Sequence, residues 1–476
     1  MLWWLHLLYN HVIIFNVKIQ LSLITFILLM SLSCRTEKLS VEQDSGSPAI
    51  SVINVQLQNE ENTEEEKIEA SHEIIIANAV IDAQPVAFSL KSAPPDLTVS
   101  LNGEIQRPVS AAGGIRNYRT TSGGTLRFSA ETYRSLEYPS WELPVRNGRL
   151  EIKLENENGV MKLLGEYSTG TQPKSAYFSP DGGRLFVPLL AQHGVDVFRF
   201  VNRALVYERR LSVPTSAALG FVEAMIDERR RELWVSNMEE SRVHIYDLDT
   251  LDYKTSLRTG GTYPKVIAQN PEGNITVVSN WVSCDISVFD SESKNLLRRI
   301  PVGGTPRGMA FSPDGRFLYT AIFDEPVIAV VDMTNNRVTA RYRLYNGEGA
   351  ARHVIYRDGK LYVSDMYRGT VNILNASTGA LLVSRRIGPN INTIVLSPDG
   401  RRLVASSRGR NNSEDYTKPG PDFGAVYLLY AEDLSTEERI WGRNQPTGLA
   451  ISPDGKYLVF TDFLDANLEL YEDTSK

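Results

Sequence analysis

Five ionisable side chains recur at one place in a repeated sequence pattern. Lys174, Lys265 and Arg307 each stand five residues before a reverse turn, at Ser179, Asn270 and Ser312, and Glu223 and Arg352 hold the next position in two further copies. Lysine and arginine gathered around a concave surface bind carboxylate, phosphate or sulfate, because guanidinium groups grip such oxygens in pairs. A second reading stays open, in which the same charges form a solvated ring paired with Glu223, Asp365 or Asp462. Signatures of other chemistry are absent from the 476 residues: there is no Gly-x-Ser-x-Gly, Walker-type loop, His-Glu-x-x-His or paired-cysteine motif. Of the six histidines only His193, His244 and His353 lie in the repeats, no two of them at metal-ligand spacing, so neither a metal nor a cofactor is expected. His353, which follows Arg352 where other copies carry Met309, Ile394 and Leu449, reads as a core histidine rather than a catalytic one.

The elements that position these charges are strands joined by one recurring turn. Ser-Pro-Asp-Gly occurs four times, at 179–182, 312–315, 397–400 and 452–455, each time between apolar strands. Proline presets φ, aspartate caps, and glycine takes the positive φ that closes the hairpin. Degenerate copies at 227–232, 270–273 and 357–359 bring the count to seven units. Their spacing is that of a four-stranded propeller blade, about 40–45 residues. The fold expected is all-β, a seven-bladed β-propeller over 161–476. Its last unit stops after three strands, and an unpaired sheet edge invites aggregation, so residues 161–167 are the expected donor of the missing strand.

These units resemble the YVTN β-propeller repeat: a proline and a small residue, an apolar strand, Ser-Pro-Asp-Gly, Leu-Tyr-Val, then a strand ended by aspartate, as in 305–332. The resemblance implies that Lys174, Glu223, Lys265, Arg307 and Arg352 converge on one mouth of a central channel. It also implies that the loops after each second strand share that face, adding Asn280, Trp281, Asp365, Tyr367, Arg408 and Arg410. An insertion at 409–424 in the sixth unit reads equally as a lid over the mouth or as a flap packed on a neighbouring blade.

Residues 72–160 alternate in short β-prone runs punctuated by Gly and Pro, the pattern of a small β-sandwich-like domain. Residues 34–71 hold no aromatics and an acidic run, Glu60, Glu61, Glu64, Glu65, Glu66 and Glu69, which reads as an extended, flexible tether. Ahead of it, Lys18, an apolar run and the small residues Ser31 and Ser33 lead to Cys34. That arrangement resembles a bacterial lipoprotein signal over 1–33, with translation from about residue 17 and lipid on Cys34, although Ser31 stands where leucine is usual. An uncleaved anchor or ordinary signal cleavage stays open. The expectation is a cell-envelope protein tethered by lipid, on the outer membrane or facing the periplasm, with surface exposure allowed. The remaining cysteine, Cys284, has no nearby histidine and reads as a loop residue.

A net charge of −7 argues against bulk attraction to nucleic acid. The leading expectation is a binding or scaffolding protein, taking a small anionic ligand or a protein partner. The alternative is a propeller enzyme such as a lactone hydrolase, since enzymes of that fold scatter their active residues around the channel.

Overall fold

The computed structural model describes residues 86–120, 123–140, 142–146 and 149–476. The signal, Cys34, the acidic tether and the β-prone run at 73–80 lie outside these residues. Among the described residues every helix or strand is a strand, and no helix is long and apolar enough to cross a membrane.

Seven four-stranded antiparallel sheets occupy 161–473. Six are continuous in sequence and are numbered here in chain order: 177–211, 221–258, 264–301, 306–343, 351–386 and 391–441. The seventh is spliced. Its first three strands are Pro446–Ile451, Tyr457–Asp462 and Asn467–Asp473, and its outer strand is Met161–Ser168, paired from Met161↔Asp473 to Ser168↔Asn467. Successive sheets pack at their inner strands, and Tyr177–Phe178 of the first lies against Pro446–Ile451 of the seventh, so the row closes. The result is a propeller. Second strands such as Phe317–Ile322 are buried on both faces between neighbouring sheets, whereas outer strands such as Leu296–Pro301 are mostly exposed.

The turns form as their residues dictate. Ser312 Oγ accepts the Phe317 amide at 2.9 Å, Asp314 accepts the Arg316 amide at 3.1 Å, and Gly315 sits at φ +68°. The turns at Ser179, Ser397 and Ser452 repeat this, with glycine φ of +71° to +75°.

One irregularity recurs where the function-bearing residues lie. The first strand of each sheet from the second to the seventh slips register against its second strand, the breaks falling between Phe221/Ala224, Pro264/Ile267, Pro306/Met309, Ala351/His353, Ile391/Ile394 and Pro446/Leu449. Such bulges re-aim side chains. Glu223, Lys265, Arg307 and Arg352 all stand within them. A buried hydroxyl on the second strand stitches most bulges: Ser279 Oγ accepts the Val266 amide at 3.0 Å and donates to the Arg307 carbonyl of the next sheet at 2.9 Å. Ser236, Ser364, Ser406 and Thr461 do the same towards Lys265, Asn392, Thr447 and Pro173. In the fourth sheet Gly308 replaces the stitch with close approach, since a Cβ there would lie 2.7 Å from His353 Cα.

Ahead of the ring, Val86–Ala93, Thr98–Leu101, Thr125–Ser129 and Arg149–Lys153 fall on sequence runs read as strands. With shorter partners they form a five-stranded and a four-stranded sheet that share one core, including Leu90, Val99, Leu126, Phe128 and Leu150. This pair of sheets is fastened to the ring. Lys153 bonds Glu469, Trp441 Nε1 donates to the Tyr133 hydroxyl at 3.2 Å, and Lys91 Nζ donates to the Gly420 carbonyl at 2.9 Å and to Asn444 Oδ1.

Candidate functional site

The bulges deliver Lys265, Arg307 and Arg352 to the ring's inner face, Lys174 reaches it from the segment just ahead of the first sheet, and the residue after the sixth sheet's second strand adds Arg408. All five are buried, none more than 9% exposed. Among the described residues their one carboxylate partner is Glu223, whose Oε1 lies 3.8 Å from Arg307 and whose Oε2 accepts the Tyr177 hydroxyl at 2.7 Å. The remaining neighbours carry no charge: Arg408 donates to Gln445 Oε1, Lys265 Nζ lies 2.8 Å from Met238 Sδ, and the rest are rings. Lys174 Nζ lies 4.8 Å from the centre of Phe463, and Arg408 stands over Phe463 and Tyr416 at 5.5 and 5.6 Å. Lys265 Nζ is 5.0 Å from Trp281, which packs on Phe323 at 5.7 Å. Aromatic faces attract cations, but far less than a desolvated carboxylate would.

Dry surroundings and like charge leave their mark on the titrating groups. Burial, reinforced by Arg307 and Arg352 and only partly opposed by Glu223, pushes the Lys265 ammonium down to about 7. Burial and repulsion from Arg352, Arg408 and Arg307 hold Lys174 well below the usual lysine range. Arg352 is depressed by burial and by Arg307, and Arg408 falls to about 10 mainly through burial. Burial and Glu223 together raise the Tyr177 hydroxyl, which stays protonated and donates. His353 is pushed by burial to about 4, and its Nδ1 accepts the Ile394 amide at 3.3 Å, the behaviour of a neutral core histidine. Several donors here are buried without a partner: Arg352 Nε, Arg408 Nε and Trp281 Nε1. Buried unpaired donors cost about 1–3 kcal/mol each, more when charged, and an anion with acceptor oxygens relieves that cost.

Three residues expected at the mouth are committed elsewhere. Asn280 Nδ2 bonds Asp285 and Ser287, each at 2.7 Å, bracing its own sheet. Asp365 accepts the Tyr345 hydroxyl and the amides of Ala350 and Arg368, which organises the loop it begins. Arg410 is exposed and forked onto Asp422. Of the three acids read as partners in a charge ring, Glu223 stands by Arg307, whereas Asp365 is so engaged and Asp462, beside Glu469, is held well above the usual carboxylate range by burial and that neighbour. Cys284 lies in the turn after Trp281 at φ +56°. The insertion is fastened at several points: Asn390 Nδ2 donates to the Gly409 carbonyl at 2.8 Å, Gln445 Nε2 to the Tyr416 carbonyl at 2.6 Å, and Lys91 to Gly420. It holds Tyr416 against Arg408.

Sequence reasoning named Trp281 but missed the Phe323 and Phe463 rings and the hydroxyl stitches. Both had a signal. The residue following each second strand from the second sheet onward is Met238, Trp281, Phe323, Met366, Arg408 and Phe463, a position bulky in every copy. The hydroxyl position, one place before the last residue of that strand in sheets two to seven except the fourth, where it is two places before it, is a serine or threonine throughout: Ser236, Ser279, Thr320, Ser364, Ser406 and Thr461, of which all but Thr320 make the stitch.

A closed row of four-stranded sheets around a charged inner face defines a β-propeller protein. The chain is 34% identical over 358 residues to Antigen Lp49 of Leptospira interrogans, covering 73% of this chain and 77% of that one, and it belongs to the Lp49 antigen family. It is also 28% identical over 169 residues to Protein NirF of Stutzerimonas stutzeri, a stretch that covers 33% of this chain and 40% of NirF. No family model matches the chain. Among solved structures, Kuenenia stuttgartiensis hydrazine synthase superposes with a TM-score of 0.54 at 19% identity, over 64% of this chain and 97% of that one. A chain of a mitotic checkpoint complex does so with 0.53 at 14% identity, over 65% and 91%. At those identities the likeness concerns fold alone.

Proposed function

We propose that this chain is a seven-bladed propeller of YVTN-like repeats, carried on a small β-sandwich-like domain and held at the cell envelope by lipid on Cys34, which binds a small anionic ligand at its channel mouth. The observation that carries the binding reading is the charge imbalance: five buried cations face one carboxylate. Burying unpaired charge is expensive, and an anion that brings its own oxygens offsets that expense where the protein's side chains do not. Support for the envelope reading is the Lys18 to Cys34 pattern, together with a relative whose name is antigen.

A thermal-shift screen of the full chain against carboxylates, phosphates, sulfate, sugars and lactones tests the binding reading. The expected result is stabilisation by anions alone, abolished in an Arg307→Ala/Arg352→Ala double variant. Equal shifts in both proteins would place the ligand elsewhere. Labelling with a palmitate analogue, lost in Cys34→Ala, tests the anchor.

A hydrolytic reading is favoured by one feature, the Tyr177 hydroxyl that orients the Glu223 carboxylate in a dry mouth. In that reading Glu223 is a general base and a lactone is the substrate, and turnover would vanish in Glu223→Gln.

A further inference from the structure

The five cations are not spread evenly around the ring. Lys174 of the first sheet and Arg408 of the sixth share one ring, Phe463 of the seventh, and these three sheets are consecutive because the seventh closes onto the first. Lys265 and Trp281 of the third sheet adjoin Arg307 and Phe323 of the fourth, with Trp281 packed on Phe323. The second sheet separates the two arcs on one side, presenting Glu223, and the fifth on the other, presenting Arg352. Each arc therefore offers a lysine, an arginine and an aromatic wall, and Glu223 neutralises at most one charge, on the Arg307 side.

We infer that the ligand carries two anionic groups separated by an apolar body, one group held by Lys174 and Arg408 and the other by Lys265 and Arg307. The inference rests on the anion-binding reading above and narrows it to a chemical class. A single carboxylate would satisfy one arc and leave the other pair of buried cations as they stand, whereas two groups discharge both. The aromatic faces of Phe463 and Trp281 suit the apolar stretch between them. Because Lys265 titrates near 7, seating an anionic group beside it also draws a proton from solvent.

The test is calorimetry on the full chain with straight-chain α,ω-dicarboxylates of increasing length and the monocarboxylates of the same lengths. At one optimal length the diacid should bind at least tenfold tighter than its monoacid, with net proton uptake when buffers of different ionisation heat are compared at pH 7.5. Lys174→Met/Arg408→Met and Lys265→Met/Arg307→Met should each reduce the diacid to monoacid affinity. The comparison within the unaltered protein needs no variant, so a variant that misfolds does not remove the test. Equal affinity of diacids and monoacids overturns the two-arc inference while leaving the anion site in place. Binding by none of the acids overturns both.

Discussion

The Ser279 hydroxyl accepts the Val266 amide and donates to the Arg307 carbonyl at 2.9 Å, so one side chain closes the bulge of the third sheet and ties it to the fourth. The two residues flanked by these bonds, Lys265 and Arg307, are the cations of one arc. Ser279→Ala leaves a buried amide and carbonyl unpaired, which costs about 1–3 kcal/mol. The expected outcome is a lower Tm together with weaker anion-induced stabilisation. A lowered Tm with the anion response intact would show that the stitch supports the ring without aiming the cations.

Lys265 gives the site a pH dependence of definite sign. With its ammonium at about 7 in the folded chain against the usual 10.5, it is largely neutral at pH 8.5 and charged below 6. Anion affinity should therefore rise as pH falls from 8.5 to 6, and the rise should flatten in Lys265→Met. The same depression makes the unfolded chain bind the extra proton between pH 7 and 10.5. This group's contribution to folding stability accordingly improves as pH rises through that window and is constant below it. Titrations of affinity and of denaturant midpoints at several pH values check both signs.

Met161–Ser168 seals the ring by pairing with Asn467–Asp473, residues some three hundred positions away in sequence. A chain ending before Asn467 loses the third strand of the seventh sheet and leaves Met161–Ser168 without its partner. An exposed edge of this kind recruits other chains. Light scattering on heating should report aggregation of the shortened chain at temperatures where the full chain stays clear.

Lys91 reaches from the five-stranded sheet to the Gly420 carbonyl and Asn444 Oδ1, and burial lowers its ammonium to about 8. It thereby pins the 409–424 insertion, which in turn holds Tyr416 on Arg408. Lys91→Met should free that loop, with faster tryptic cleavage after Arg410 and little change in the far-UV spectrum. Unchanged cleavage would mean that Asn390 and Gln445 hold the loop without help.

Much of this was legible in the sequence because it is written locally. A Ser-Pro-Asp-Gly turn is specified by four adjacent residues and forms wherever they stand, so the hairpins, the repeat and the three-stranded final unit could be read directly. Lys174, Glu223, Lys265, Arg307 and Arg352 could be singled out because a repeat makes equivalent positions visible. The commitments of Asn280, Asp365 and Arg410 could not, since their partners depend on which way each loop folds: Asp285 and Ser287, Tyr345 and Ala350, or Asp422.

Local residue types thus determined the strands, the turns and the candidate cations. Tertiary structure decided what the cations experience. Lys174 and Arg408 share Phe463 only because the ring closes, bringing the seventh sheet between the first and the sixth, and the resulting exclusion of water turns surface-type charges into buried, mutually repelling ones. Charge is a property of the residue, but the free energy of that charge belongs to its surroundings, and those exist only once the sheets have met.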